Sequence, residues 1–454
     1  MEVVTLNIRD KKLENSRVEL EIELPAERVE IEYKSVFDGI QKNAKVDGFR
    51  KGKAPIQMVE RKYMEYADQE VAENLMKSAI VDAITEKTLN PISEPAYSFD
   101  SVRRGDPFSF KAVIEVYPTI ELATYKEIHA DEKVCNVTDE DIKDEIDSIR
   151  ERYATVTKKD ENGIIENGNL AKIKVKRVDE AQEDDNFKDY SIIVGKTKDD
   201  SALDKKIVGM KAGEEKEVEV KYPKDYHIKE LAGEKVKYLV KIEEVSTMEL
   251  PPLDDDLAKK ANYESVDDMK TKTSEYIHNF VSTKTRGESK SQIIESIVKN
   301  CTFDIPESMV YAEMSAIYKK TKDRIAYQMG IPAQNLSDYP MDDFAEIMGM
   351  NPEDFRAKIK TEAEASVKTT LMLAEVVRKE NLAVSEERFK EFVEKFAKGY
   401  GMAAEQVEEM IQKNNSRENI ENELILEVAM DFLYDNAKIK KLKPISLQDL
   451  VRQQ

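Results

Sequence analysis

The chain has 454 residues, 36% of them charged, with a formal net charge of −21 and a mean hydropathy of −0.60. That length exceeds one ordinary domain and implies roughly two to four, while so acidic a surface excludes general coating of nucleic acid, whose phosphates repel it. Two cysteines (Cys135, Cys301) and three scattered histidines (His129, His227, His278) exclude a disulfide framework and a zinc site of ordinary spacing.

No run of sequence approaches the ~18 apolar residues of a membrane span, and "MEVVTLNIRDKK" at the start has no apolar signal region. The expectation is a soluble, cytoplasmic protein with no membrane or DNA partner. Nothing points to a nucleotide, a metal or any other cofactor. Trp is absent and Met numbers 17; flexible methionines suit either gap-filling in helical cores or surfaces that adapt to several partners.

In chain order, "VVTLNIRD" and "RVELEIELP" alternate apolar and polar residues as half-buried strands do. After Pro25 the spacing becomes helical, with Val29, Tyr33, Val36, Phe37 and Ile40 on one face. Pro55 suits the first turn of a second helix, which runs to about Leu89 with Val71, Leu75, Ala79 and Ala83 four apart. "FSFKAVIEVYP", residues 108 to 118, returns to strand. Residues 1–117 thus read as a small α+β domain of strand, strand, helix, loop, helix, strand. A linker region over 118–154 carries a helix started by Thr138 and Asp141 at N-cap and N3. Short strands, "AKIKVKRV", "YSIIVG", "EKEVEVKYP" and "EKVKYLVKIEEV", make 155–247 a β-rich domain. From 248, and clearly after "ELPPLDDD", the strand signal ends and the chain reads as helix after helix to residue 454. Asn351 and Pro352 give a strong helix start, and Leu371, Leu373, Val376 and Val377 mark sparse apolar positions without a sustained heptad.

The loop between the first two helices, "QKNAKVDGFRKGK" (41–53), sets Lys42, Lys45, Arg50, Lys51 and Lys53 against Asp47 alone, a local charge of +4. Gly48 and Gly52 let the backbone turn sharply and present Phe49, Arg50 and Lys51 at the tip. An exposed phenylalanine is costly unless a partner covers it, and the cations can meet phosphates or carboxylates. The spacing is not that of a Walker loop. Composition alone leaves open a solvated charged hairpin or an import signal.

"VDGFRKGKAP" followed by a long helix resembles the ribosome-docking signature of bacterial trigger factors. "IEVYPTIEL", "GMKAGEEKEVEV", "KYPKDYH", "ELPPLDDDLAKKA", "LAEVVRKENLAVSEERFKEFVEKFAKGYG" and "EVAMDFLYDNAKI" are similar to that family in the same order. The resemblance implies a multi-domain α+β protein. Its parts would be an N-terminal ribosome-binding domain, a middle FKBP-type prolyl isomerase domain, and an extended all-α C-terminal domain that includes the linker helix. It implies docking through Gly48, Phe49, Arg50, Lys51, Gly52 and Lys53 at the ribosomal tunnel exit, on ribosomal protein and RNA. It also implies shielding of nascent and unfolded polypeptides without ATP, and a homodimer away from the ribosome.

Prolyl isomerisation needs an apolar, aromatic-walled pocket that favours the twisted amide, not a nucleophile or metal. Where the family usually carries aromatics, this chain has Val175 (in "KVKR") and Leu203 (in "DSALD"). The glycine-bearing segment between them is replaced by "EAQEDDNFKDY". Tyr226 and His227 match the family's Tyr-His pair, and Tyr238 stands where Phe is common. This remnant, Tyr226, His227, Tyr238, Val175 and Leu203, reads as a weak or inactive pocket because apolar enclosure is lost. Two functions therefore compete: a ribosome-docked holdase, and a prolyl isomerase whose other domains deliver unfolded chain.

Overall fold

The structure is a computed structural model that describes residues 6–47, 49–160, 162–179, 182–183, 187–196, 203–222, 231, 233–332, 334–337 and 339–452. Two compact units emerge: Met1–Ile128 with Gln292–Lys438, and His129–Ser291 with Ile439–Gln454.

In the first unit, β1 (Asn7–Lys12), β2 (Arg17–Leu24), β3 (Ala96–Phe99) and β4 (Phe108–Glu115) form an antiparallel sheet in the order β1-β2-β4-β3. The period-two pattern decides which face is buried. Val18, Leu20, Ile22 and Leu24 of β2 and Phe108, Phe110, Ala112 and Ile114 of β4 point into the core, and the intervening glutamates of β2 face outward. Helices α1 (Ala26–Asn43) and α2 (Ile56–Glu86) cover that core with Val29, Tyr33, Val36 and Phe37 from one and Val71, Leu75, Ala79 and Ala83 from the other. The strand β3 adds to the sequence reading, which passed directly from α2 to β4.

The same unit holds a helical region: α7 (Glu307–Met329), α8 (Gln334–Ser337), α9 (Met341–Ile347), α10 (Pro352–Glu380), α11 (Glu386–Tyr400), α12 (Ala404–Lys413) and α13 (Arg417–Asp435). The Asn351 side chain accepts from the N–H groups of Glu353 and Asp354, at 2.9 and 3.1 Å, and so starts α10 as expected. Tyr318, Phe344 and Phe355 pack one small core among α7, α9 and α10, and Phe389, Val393, Val407 and Leu424 another among α11, α12 and α13. The β1–β2 turn and the end of β4 are fastened to this region, since Ser16 donates to the Asp304 carbonyl (2.9 Å) and the Ser308 N–H donates to the Glu115 carboxylate (3.1 Å).

The second unit contains β5 (His129–Cys135), α3 (Asp139–Arg152), β6 (Thr155–Lys158), β7 (Leu170–Asp179), β8 (Gln182–Glu183), β9 (Lys188–Ile193), α4 (Leu203–Lys206), β10 (Glu215–Lys221), β11 (Lys235–Glu249), α5 (Asp255–Lys260) and α6 (Val266–Asn300, counted here to Ser291). It also holds β12 (Lys438–Ile445, counted here from Ile439) and α14 (Leu447–Arg452). Thr138 and Asp141 form the anticipated capping box at the start of α3. The β-rich part is one sheet ordered β10-β11-β7-β8, with β6 joined to β11 and β9 to β7. Its core is Ile173, Val175, Val218, Val240, Ile242 and neighbours. The expectation of unbroken helices after residue 254 is corrected by β12, which pairs with β5 in a two-stranded sheet. Among the described residues no helix is long and apolar enough to cross a membrane.

Candidate functional site

The basic loop hangs between the C-terminus of α1 and the N-terminus of α2, and its two ends are anchored rather than its tip. Ala44 and Ala54 are buried at either end, and Gln41 bridges them by donating from Nε2 to the Ala54 carbonyl at 2.8 Å. Helix α2 departs from helical geometry at Tyr63 (φ −117°, ψ 18°). There the Tyr63 hydroxyl and the Lys62 ammonium both donate to the Lys45 carbonyl, at 3.1 and 2.9 Å. Inside the loop, Phe49 N–H donates to the Val46 carbonyl (3.1 Å) and Lys53 N–H to the Arg50 carbonyl (2.9 Å). Gly52 sits at φ +76°, a left-handed conformation, and a Cβ there would lie 3.3 Å from the Lys42 carbonyl oxygen. Gly48 lies outside the described residues.

The result is a framed turn that leaves Phe49, Arg50, Lys51 and Lys53 exposed, Phe49 with 41% of its surface open. The loop gathers its cations closely in sequence, whereas several cations elsewhere in the same α+β region have carboxylate partners: Arg104 bonds Glu30 and Glu60 at 2.8 Å each, and Arg28 bonds Asp82 at 3.0 Å. The hydrogen bond from Arg104 holds the Glu30 carboxyl below its usual range. Among the described residues, no carboxylate pairs with Lys42, Lys45, Arg50, Lys51 or Lys53. The turn therefore offers unneutralised positive charge beside one apolar ring. The anchoring residues Gln41, Lys62 and Tyr63 escaped the sequence reading, because a side chain aimed at a backbone carbonyl has no sequence signature.

The isomerase-type residues gather in part. Val175 is buried in the sheet core, opposite Val240 of β11, with Leu203 and Tyr238 packed against the same core. Tyr238 faces inward one step along from that pair, and its hydroxyl lies 2.9 Å from that of Tyr222. Tyr222 was missed although it stands inside "KYPKDYH"; the β10–β11 hairpin brings it alongside Tyr238. Tyr226 and His227 lie outside the described residues, as do Asp200 and much of "EAQEDDNFKDY". Two cations of the basic run of β7 are matched by carboxylates, Lys172 by Glu244 (3.3 Å) and Lys174 by Glu243 (2.6 Å).

The family model of the bacterial trigger factor protein matches residues 6–149, that of the trigger factor C-terminus 265–435, and that of the FKBP-type peptidyl-prolyl cis-trans isomerase 166–249. The trigger factor of Halalkalibacterium halodurans is 31% identical over 433 residues, covering 94% of this chain and 98% of that one. This chain belongs to the trigger factor family. The trigger factor of Shouchella clausii is 30% identical over 436 residues, again covering 94% and 98%. A solved structure, described for promiscuous substrate recognition in the folding and assembly activities of the trigger factor chaperone, aligns over 94% of this chain at 19% identity and TM-score 0.49. With the family come a ribosome-associated chaperone function, binding of the ribosome and of nascent chains, and an FKBP-type domain between an α+β region and a helical C-terminal region.

Proposed function

We propose that the loop 41–53 is the element by which this trigger factor docks at the ribosomal tunnel exit. The observation that carries the proposal is the exposed Phe49 among unneutralised cations on a turn anchored at both ends. Phe49 enters an apolar pocket of a ribosomal protein. Arg50, Lys51 and Lys53 meet ribosomal RNA phosphates or carboxylates, and Gly48 and Gly52 shape the turn. Residues 1–117 form the docking domain, 155–247 the isomerase-like domain, and 118–154 with 248–454 the chaperone domain. In that last domain the exposed Tyr311, Tyr327, Ile347 and Tyr400 offer weak, adaptable contacts to unfolded chain. The cytoplasm is the compartment where it meets the ribosome, and away from the ribosome it self-associates. Replacing Phe49, Arg50 and Lys51 by Ala abolishes co-sedimentation with ribosomes while helical content is unchanged; retained binding at moderate salt refutes the docking assignment.

The middle domain we read as a weak or inactive isomerase. Two aliphatic residues, Val175 and Leu203, stand where aromatic walls would desolvate an X-Pro amide, and the Tyr238 hydroxyl is engaged by Tyr222. The alternative of a working isomerase draws on Tyr238 lining the same core. Exchange spectroscopy on an X-Phe-Pro peptide with the full chain decides between them. Exchange at the uncatalysed rate supports the first reading. Catalysed exchange that falls in Tyr226→Ala supports the second.

A further inference from the structure

Helix α2 contains no proline and no glycine, yet it leaves helical geometry at Tyr63 (φ −117°, ψ 18°). Sharp helix kinks trace to Pro, to Gly or to a group inserted at the hydrogen-bond ladder, so the cause of this one lies outside the helix's own sequence. Two donors stand at the kink and share one acceptor. The Lys62 ammonium and the Tyr63 hydroxyl both donate to the Lys45 carbonyl, at 2.9 and 3.1 Å. On a regular helix consecutive side chains point about 100° apart and do not face a common neighbour. The break at Tyr63 turns the pair onto the same oxygen, and together they fill its two lone pairs. The ammonium also lies 5.8 Å from the centre of the Tyr63 ring, within reach of a cation–π contact. The ring itself is half-buried and packs against the core that holds Tyr33 and Val59.

We propose that Tyr63 and Lys62 are positioning residues for ribosome binding, a role that rests on the docking assignment of the loop 41–53: they set its shape before the partner arrives. Lys45 follows directly on Ala44, the residue that caps α1, and so marks the entry to the turn. At the exit, Gln41 holds Ala54 by its 2.8 Å bond. With entry and exit both clipped, only the turn between them is left to order, and there the Phe49 and Lys53 N–H groups already bond the Val46 and Arg50 carbonyls. Each residue ordered only on docking would subtract its conformational entropy from the affinity. Where the competent form is a fraction of the population, affinity falls by that fraction. Loss of a clip is therefore read as weaker binding, although neither donor has to touch the ribosome. The Tyr63 hydroxyl is uncharged, which separates its effect from that of the loop's cations.

The test uses the full chain and two measurements: ribosome Kd by co-sedimentation over a salt series, and amide hydrogen exchange of the free protein. Tyr63→Phe keeps the ring and removes only the hydroxyl. The expected result is binding about fivefold weaker, the worth of one hydrogen bond. The slope of log Kd against log salt stays as in wild type, since no cation is lost. Amides of residues 45–54 exchange faster while those of β2 do not. Adding Lys62→Met weakens binding further, and Lys62→Arg in its place, which retains a donor, returns the protein to the level of Tyr63→Phe alone. An unchanged Kd in the Tyr63→Phe, Lys62→Met protein overturns the proposal, whether or not loop exchange rises. So does faster exchange in β2 as well, which would make Tyr63 a general support of the domain core. Weaker binding with unaltered loop exchange would mean that these side chains touch the ribosome themselves, and refutes a positioning role equally. The Phe49, Arg50 and Lys51→Ala protein, measured alongside, keeps the two assignments apart. If it loses binding and the Tyr63→Phe, Lys62→Met protein does not, docking through the loop stands and positioning falls. If it binds as wild type does, the docking assignment falls and takes the positioning role with it.

Discussion

Phe49→Ala separates the two halves of the proposed docking loop, because the ring and the cations contribute by different physics. Phe49 exposes 41% of its surface. Of the roughly 200 Å² that a phenylalanine presents, about 80 Å² is then left for a partner to cover. At about 25 cal/mol/Å² this is ~2 kcal/mol, or some thirtyfold in Kd. The ring is not part of the core built by Tyr33, Phe37, Leu75 and Phe110, so folding is unaffected. Its removal releases no fewer counterions, so the salt dependence stays as it was. The double change Arg50→Gln and Lys51→Gln does the reverse, reducing the magnitude of the slope of log Kd against log salt by about 1.5.

The assay is ribosome co-sedimentation of the full chain, analysed as Kd at a series of salt concentrations for the three proteins. Parallel lines for wild type and Phe49→Ala, offset by about thirtyfold, confirm an apolar pocket on the ribosome. An offset under about threefold would mean that the ring stays in water when the loop docks. An unchanged slope in the double variant would refute the electrostatic half, since exposed cations that meet phosphates must displace counterions.

Gly52→Ala forces a Cβ into a left-handed turn 3.3 Å from the Lys42 carbonyl, costs about 1 kcal/mol or more, and weakens ribosome binding while circular dichroism is unchanged; full binding would show that the turn does not need this conformation. Asn351→Ala leaves the Glu353 and Asp354 N–H groups without their acceptor and lowers the stability of the helical region by about 1 kcal/mol, read as a lower thermal midpoint. The hydrogen bond from Arg378 holds the Glu375 carboxyl below its ordinary value of 4.5. The stability it lends is therefore complete above pH 4.5 and is lost as pH falls through the depressed folded value. Glu375→Gln should flatten the acid limb of a denaturation series against pH, and an unaltered limb would remove the pair from the account.

What could be read from the sequence was whatever is encoded locally. The alternation of Val18, Leu20, Ile22 and Leu24, the α1 face of Val29, Tyr33, Val36 and Phe37, and the caps at Thr138 and Asn351 each need only a few neighbouring residues to specify them. The strand β12 does not fit that description. Its lysine-rich pattern has no clean period, and it becomes a strand because β5, about three hundred residues earlier, offers an edge to pair with. The same limit hid the loop's anchors. Tyr63 and Lys62 matter because a kink in α2 turns them onto the Lys45 carbonyl, a contact set by tertiary geometry. In the middle domain, Tyr222 gains its place only when the β10–β11 hairpin closes and brings its hydroxyl to Tyr238.

Charge shows most directly what the structure adds to composition. The basic runs of loop 41–53, β7 and β12 look alike in the sequence, each a cluster of lysines with few acids nearby. Folding separates them. On β7, antiparallel pairing with β11 sets Glu244 against Lys172, and the irregularity between Ile242 and Glu244 leaves Glu243 in reach of Lys174, so those cations are already matched and a further anion would have to displace a partner. In the loop the anchors bind Lys45 through its carbonyl, and among the described residues neither its ammonium nor the cations beside it meet a carboxylate. In a chain carrying 92 acidic residues, the acidic background penalises any anionic partner that does not reach a cluster of unpaired cations. On the proposed docking, specificity follows from the clustering of unpaired cations around Phe49, more than from how many lysines there are.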